Sequence, residues 1–118
     1  LFKLADIIQV HVLTADTFGR AATQLNSIPC TLHILKINDE DLQKKNYVQS
    51  LGSQNVVAIG NGNNDRSMLK AARIGIAILG SEGCAFDSMK AANLIVRNIN
   101  QGIDLLLNPL RMKATLRF

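Results

Sequence analysis

Five short apolar runs alternate with helix-like stretches, and this alternation limits the possible folds more than any other feature of the chain. The runs "IIQVHVL" (7–13), "CTLHILKI" (30–37), "NVVAIG" (55–60), "IGIAIL" (74–79) and "LIV" (94–96) read as strands. Between them, "TFGRAATQL" (17–25) reads as a short helix capped by Asp16 or Thr17. "NDEDLQKKNYVQSLG" (38–52) reads as a helix capped near Asn38 or Asp39, with acids in its first turn and Gly52 as its stop. "NDRSMLKAA" (64–72), "CAFDSMKAA" (84–92) and "INQGIDLLL" (99–107) complete the set, the last stopped by Asn108-Pro109. Strands rich in Val and Ile that alternate with helices predict a parallel sheet covered on both faces, an α/β class.

The 118 residues fit one domain spanning 1–118, and 47% hydrophobic with 19% charged residues is ordinary for a globular chain. The net charge of +4 raises the question of nucleic acid. The bases are scattered except for Arg111, Lys113 and Arg117, and aromatics make up only 4%, so no base-stacking platform is present. A solvated basic surface and no nucleic-acid partner is the expectation. Cys30 and Cys84 form no C-x-x-C pair and read as reduced thiols. The start "LFKLADIIQV" lacks the basic opening of a signal peptide, and no apolar run approaches ~20 residues, so the expectation is a cytoplasmic chain with no membrane partner. The first residue is not Met, which reads as a start inside a longer chain.

Open parallel sheets bind ligands at the carboxyl ends of their strands. Three groups fall there: Thr14 after "HVL", the turn from Gly60 to Asp65 after "VVAI", and Gly80-Ser81-Glu82-Gly83 after "GIAIL". In the second, Gly60 and Gly62 allow a tight turn and a close ligand, while Asn61 and Asn64 add short polar side chains. Asp65 at the next helix start is either a cap that complements the helix dipole or a ligand for a hard cation. The turn is neither a dinucleotide fingerprint nor a P-loop: Asp65 stands where a third glycine is needed, and no G-K-[ST] follows. On the preceding helix, Lys44 falls between Val48 and Leu51 at ~100° per residue, so it emerges from the inner face, while Lys45 points to solvent. Such a lysine either meets an anion or snorkels its ammonium to water. Thr14 alone is a weak signal, since a hydroxyl after a strand is usually a turn residue. His11 and His33 lie inside strands without partners at metal spacing.

The order strand–Thr, inner-face Lys, strand–"GNGNND" resembles three of the four signatures of the haloacid dehalogenase superfamily. "VLTADTFG", "KKNYVQSLG", "VVAIGNGNNDRSMLKAARIGIAILGSEG" and "LLLNPLRMKATLR" together resemble its soluble members related to the phosphorylation domain of P-type ATPases. The resemblance implies a three-layer Rossmann-like α/β sheet and Mg²⁺-dependent hydrolysis of a phosphate monoester or acyl phosphate through an aspartyl phosphate. It gives Thr14, with Ala15 beside it, the role of binding the transferring phosphoryl group, and Lys44 the role of neutralising phosphoryl oxygens. Asp65 matches the Mg²⁺-ligating acid, Asn64 a polar group beside the metal and substrate, and Asn61 a metal-site position that is more often Asp. No cap insertion stands between the motifs, which implies an open site and favours a macromolecular substrate, a homo-oligomer that supplies its own lid, or low specificity; the phosphorylated substrate is left as a small molecule or a macromolecule.

One signature is missing. D-x-D/N-G-T, which supplies the nucleophilic aspartate on the first strand, occurs nowhere in the chain; Asp6 is followed by "IIQ" and Asp16 by "TFG". The expectation is therefore a fold lacking its N-terminal nucleophile strand, inactive alone and prone to self-association along unpaired strand edges. Two alternatives stay open: a non-catalytic Mg²⁺- or phosphate-binding or regulatory module, and an unrelated doubly wound nucleotide-binding domain. A D-x-D/N-G-T string encoded just upstream would favour the enzyme.

Overall fold

The computed structural model describes residues 8–15, 30–80, 83 and 85–108. The chain divides into two compact units, residues 1–40 and 41–118. In the first, β1 (His11–Thr14) pairs in parallel with β2 (Thr31–Ile34), Thr14 lying opposite Ile34. The ladder extends one bond past each end: Thr31 N–H donates to the Val10 carbonyl and Leu35 N–H to the Thr14 carbonyl, at 2.8 and 2.7 Å. Both strands are shorter than the runs that predict them. Thr14 is the last strand residue rather than the first after it, and Ile37 is 74% exposed beyond the end of β2. The expected helix over 17–25 and the cysteine at 84 lie outside the described residues; Cys30 is a half-buried free thiol.

Helix α1 (Glu40–Leu51) leads into the second unit. Asn38 and Asp39, expected to cap it, instead have left-handed φ values of 74° and 58°, unlike the extended backbone of an ordinary N-cap. Glu40 reaches back, its Oε1 accepting the Asn38 N–H at 3.1 Å. Gly52 ends the helix as expected, with φ 89° and its N–H on the Gln49 carbonyl. A 3-10 turn, Ser53–Asn55, takes the start of the predicted third strand, so β3 is Val57–Gly60.

After β3 come a 3-10 turn (Asn63–Asp65), α2 (Arg66–Ala71), β4 (Ile74–Ile78), α3 (Phe86–Ala91), β5 (Leu94–Val96) and α4 (Ile99–Leu107). The three strands form a parallel sheet in the order β3-β4-β5. Strand alternation gives its two faces different character. One face carries Val57, Ile59, Ile74, Ile76, Ile78, Leu94 and Val96, and with Leu105 and Leu106 of α4 it forms the apolar core. Ile76 is fully buried. The other face carries Ala58, Gly60, Gly75 and Ala77. These small residues let α2 come very close: a β-carbon on Gly75 would stand 2.4 Å from the Leu69 carbonyl oxygen.

The sheet continues through side chains where the backbone ladder stops. Asn93 Oδ1 accepts the Gly75 N–H and its own N–H donates to the Gly75 carbonyl, each at 2.8 Å. Helix α4 starts on Asn98, whose Oδ1 accepts the Gln101 N–H at 2.9 Å. No helix among the described residues is long and apolar enough to cross a membrane.

Candidate functional site

The turn after β3 is organised around one buried side chain. Asp65 is only 6% exposed. Its Oδ2 accepts the backbone N–H groups of Asn61 and Gly62, each at 2.9 Å, and its own N–H donates to the Gly62 carbonyl at 3.0 Å. The carboxylate therefore folds back over the end of β3. This explains Gly60: a β-carbon there would stand 2.5 Å from Asp65 Cγ and Oδ2. Neither Gly60 nor Gly62 has a left-handed φ, so the glycines supply space for the acid rather than the unusual backbone their sequence position evokes.

Helix α3 holds the same turn from its far side. Ala85 N–H donates to the Asn61 carbonyl at 3.0 Å, and the hydroxyl of the fully buried Ser88 donates to the Gly62 carbonyl. Sequence reading passed over Ser88, since nothing in "CAFDSMKAA" distinguishes it from a solvated helix serine.

Lys44 comes to this turn from α1. Its Nζ lies 2.5 Å from Asp65 Oδ1 and 3.1 Å from Asn64 Oδ1. The Lys44 and Asp65 side chains are 12% and 8% exposed. An ammonium has three N–H donors, and these two bonds use two of them. Lys44 thus meets an anion rather than snorkelling to water. The stripe that predicts its direction is less clean than its spacing: Val48 is buried, but Leu51 is 39% exposed and Lys45 is half-buried rather than solvent-facing.

A second link joins α1 to the turn. Asp41, one helical turn before Lys44, accepts the backbone N–H of Ser67 at 3.0 Å through Oδ1 and the Ser67 hydroxyl at 2.6 Å through Oδ2. Burial alone would raise the Asp41 carboxyl. The Ser67 hydroxyl and amide bonds, with the positive charges of Arg66 and Lys44, outweigh it and hold the group below its ordinary value. Sequence reading assigned the acids of this turn to the α1 dipole; Asp41 instead caps α2, a partner 26 residues away.

The second unit thus brings together Lys44, Asn64 and Asp65, with Asn61 exposed at the mouth of the turn. Thr14 and Ala15 belong to the first unit, at the carboxyl end of β1. Ser81 and Glu82 lie outside the described residues, while Gly80 and Gly83 form a small bridge. No group of three or more His, Cys, Asp or Glu side chains that could hold a metal occurs among the described residues. The donors of the turn are carboxylate and amide oxygens, which suit a hard cation such as Mg²⁺ that completes its shell with water and substrate oxygens. Asp65 Oδ2 accepts two N–H groups and Oδ1 meets the Lys44 ammonium, so a cation would share Oδ1 with Lys44 through that oxygen's second lone pair.

A family profile of haloacid dehalogenase-like hydrolases matches residues 4–102. The chain belongs to this family. An uncharacterized protein of Methanocaldococcus jannaschii is 40% identical to this family member over 86 residues, covering 70% of this chain and 92% of that one. A crystal structure assigned to the HAD family of hydrolases, from Streptomyces avermitilis, superposes with a TM-score of 0.62 at 16% identity over 79% of this chain. The chain spans about half of that solved chain (52%), and the likeness is one of fold: an α/β architecture with parallel strands, as the haloacid dehalogenase-like sequence pattern predicts.

Proposed function

We propose that the Lys44–Asp65 centre serves Mg²⁺-dependent phosphoryl chemistry, the hydrolysis of a phosphate monoester or acyl phosphate, in the manner of the soluble P-type ATPase-like group. The observation that carries this reading is a buried ammonium, with two of its three donors engaged among the described residues, fixed against a buried carboxylate at the carboxyl end of a parallel strand. Phosphoryl transfer is catalysed mainly by positioning and charge neutralisation. Lys44 would direct its remaining N–H to a phosphoryl oxygen, and Asn64 would orient that ammonium. Asp65 and Asn61 would hold the cation, which supplies charge neutralisation at the phosphate. The family resemblance adds Thr14, with Ala15 beside it, as a phosphoryl-binding residue. No residue of the chain is assigned as the attacking aspartate, because no D-x-D/N-G-T string occurs in it.

A second reading is a module that binds phosphate and Mg²⁺ without turnover. Inorganic phosphate titrated against the 118-residue chain by ³¹P NMR, with and without Mg²⁺, tests the charge centre common to both. Binding that needs Mg²⁺ and is lost in Asp65→Asn is expected; binding indifferent to both overturns it. Release of p-nitrophenol from p-nitrophenyl phosphate by a longer chain that carries a D-x-D/N-G-T strand upstream then separates hydrolase from module, since the 118 residues alone are expected to be inactive under either reading.

A further inference from the structure

We propose that Asp41 is a positioning residue: by clamping α1 to the start of α2 through Ser67, it holds the Lys44 ammonium against Asp65. The proposal rests on the phosphoryl reading only in naming Lys44 as the working group.

Two links tie α1 to the turn, and they run in opposite senses along the chain. Asp41 reaches Ser67, and Lys44, three residues later on α1, reaches back to Asp65, two residues earlier. Residues three apart on a helix lie on one face, so both links close the same contact. Lysine carries a long, flexible stem and would by itself populate many rotamers. The Asp41 bonds are of a different kind. A short carboxylate accepts a backbone N–H and a hydroxyl from one residue, at 3.0 and 2.6 Å, which fixes both distance and rotation. Rotation of α1 about its axis would break this pair before it moved Lys44 far. The link also satisfies the N–H of Ser67, in the first turn of α2, a group no α2 carbonyl can reach. Charge points the same way. The Asp41 carboxylate lies close enough to Arg66 and Lys44 for both to favour its ionised form. Among the described residues the Asp41 carboxylate hydrogen-bonds Ser67 and not Asp65, so its influence on the site passes through Lys44, by charge and by placement.

Competitive acylation of lysine amines with trace-labelled acetic anhydride, read by mass spectrometry, reports how firmly each amine is engaged, without any need for substrate or metal. In the wild-type chain, Lys44 should react far more slowly than the exposed Lys70. In Asp41→Ala the Lys44 rate should rise about fivefold or more, with Lys70 unchanged. Asp41→Asn, whose amide can accept the Ser67 N–H and donate to its hydroxyl, should restore protection. An unchanged Lys44 rate in Asp41→Ala overturns the proposal, as does a rise shared equally by Lys70, which would mean loosening of the whole fold. If Asp41→Ala does not fold, Ser67→Ala, which removes only the hydroxyl bond, must raise Lys44 reactivity selectively or the proposal fails. Phosphate binding and turnover play no part in these readouts, so failure of the phosphoryl reading leaves them intact.

Discussion

The carboxylate of Asp65 lies so close over Gly60 that a single added β-carbon would stand 2.5 Å from its Cγ. The strand end and the acid have thus been fitted to each other. Gly60→Ala should force Asp65 outward and break its bonds to Asn61 and Gly62. Amide hydrogen exchange should show those two N–H groups losing protection while β4 keeps its own. If Asn61 and Gly62 stay protected, the acid has room that the geometry denies it.

Gly75→Ala tests the close approach of α2 to the sheet. The added methyl meets a backbone oxygen, which cannot swing away as a side-chain tip can. Overpacking of this kind typically costs about 1–3 kcal/mol. Urea unfolding monitored by circular dichroism should show a lower midpoint with unchanged slope. Equal stability would mean that α2 shifts freely.

Lys44→Ala and Lys45→Ala should behave differently although they are neighbours. Lys44 is paired with Asp65 and lies almost entirely inside. Its loss should weaken Mg²⁺-dependent phosphate binding by about tenfold or more, the effect of about 1.4 kcal/mol of lost charge-assisted bonding. Lys45→Ala should leave binding within about twofold, consistent with a residue off the site. Equal losses at both positions would remove Lys44 from its assigned place.

The Asp41 link should be sensitive to acid in a defined sense. Its carboxyl is held below its ordinary value when folded. The stability it contributes is therefore complete above the unfolded value of about 3.9 and fades as pH falls through the lower folded value. Asp41→Asn should be less stable than wild type at pH 6, and the gap should narrow below about pH 3.9. A gap of constant size down to pH 2 would show that the ionised form is not what holds Ser67.

Much of the fold was legible because its signals are local. "LIV" and "INQGIDLLL" have the bounds that their apolar content predicts, and Gly52 stops α1 as a C-terminal glycine should. Asp65 could be picked out because its position after a strand is itself a local pattern. Errors fall where tertiary partners decide. The run 30–37 leaves the sheet after Ile34, and Asn55 closes a 3-10 turn instead of opening the third strand. Asp41, Ser67 and Ser88 escaped notice because each bonds to a group 26 residues away, a relation that neither periodicity nor composition records. The purpose of Gly60 was likewise hidden: a glycine in a loop advertises backbone freedom, whereas here it makes room for a neighbour's carboxylate.

The two faces of the β3-β4-β5 sheet divide the labour of tolerating mutation. Exchanges among Val, Ile and Leu on the α4 side can be absorbed by repacking, and each such change adjusts melting without reaching the charges. The Ala/Gly side has less slack, since Gly75 sets how close α2 comes and Gly60 sets where the Asp65 carboxylate stands. A sequence drifting while this turn is kept would be free to vary on the first face and held to one or two carbon atoms on the second. The same methyl group would be a matter of thermal tolerance on one side of a strand and of the placement of a buried carboxylate on the other.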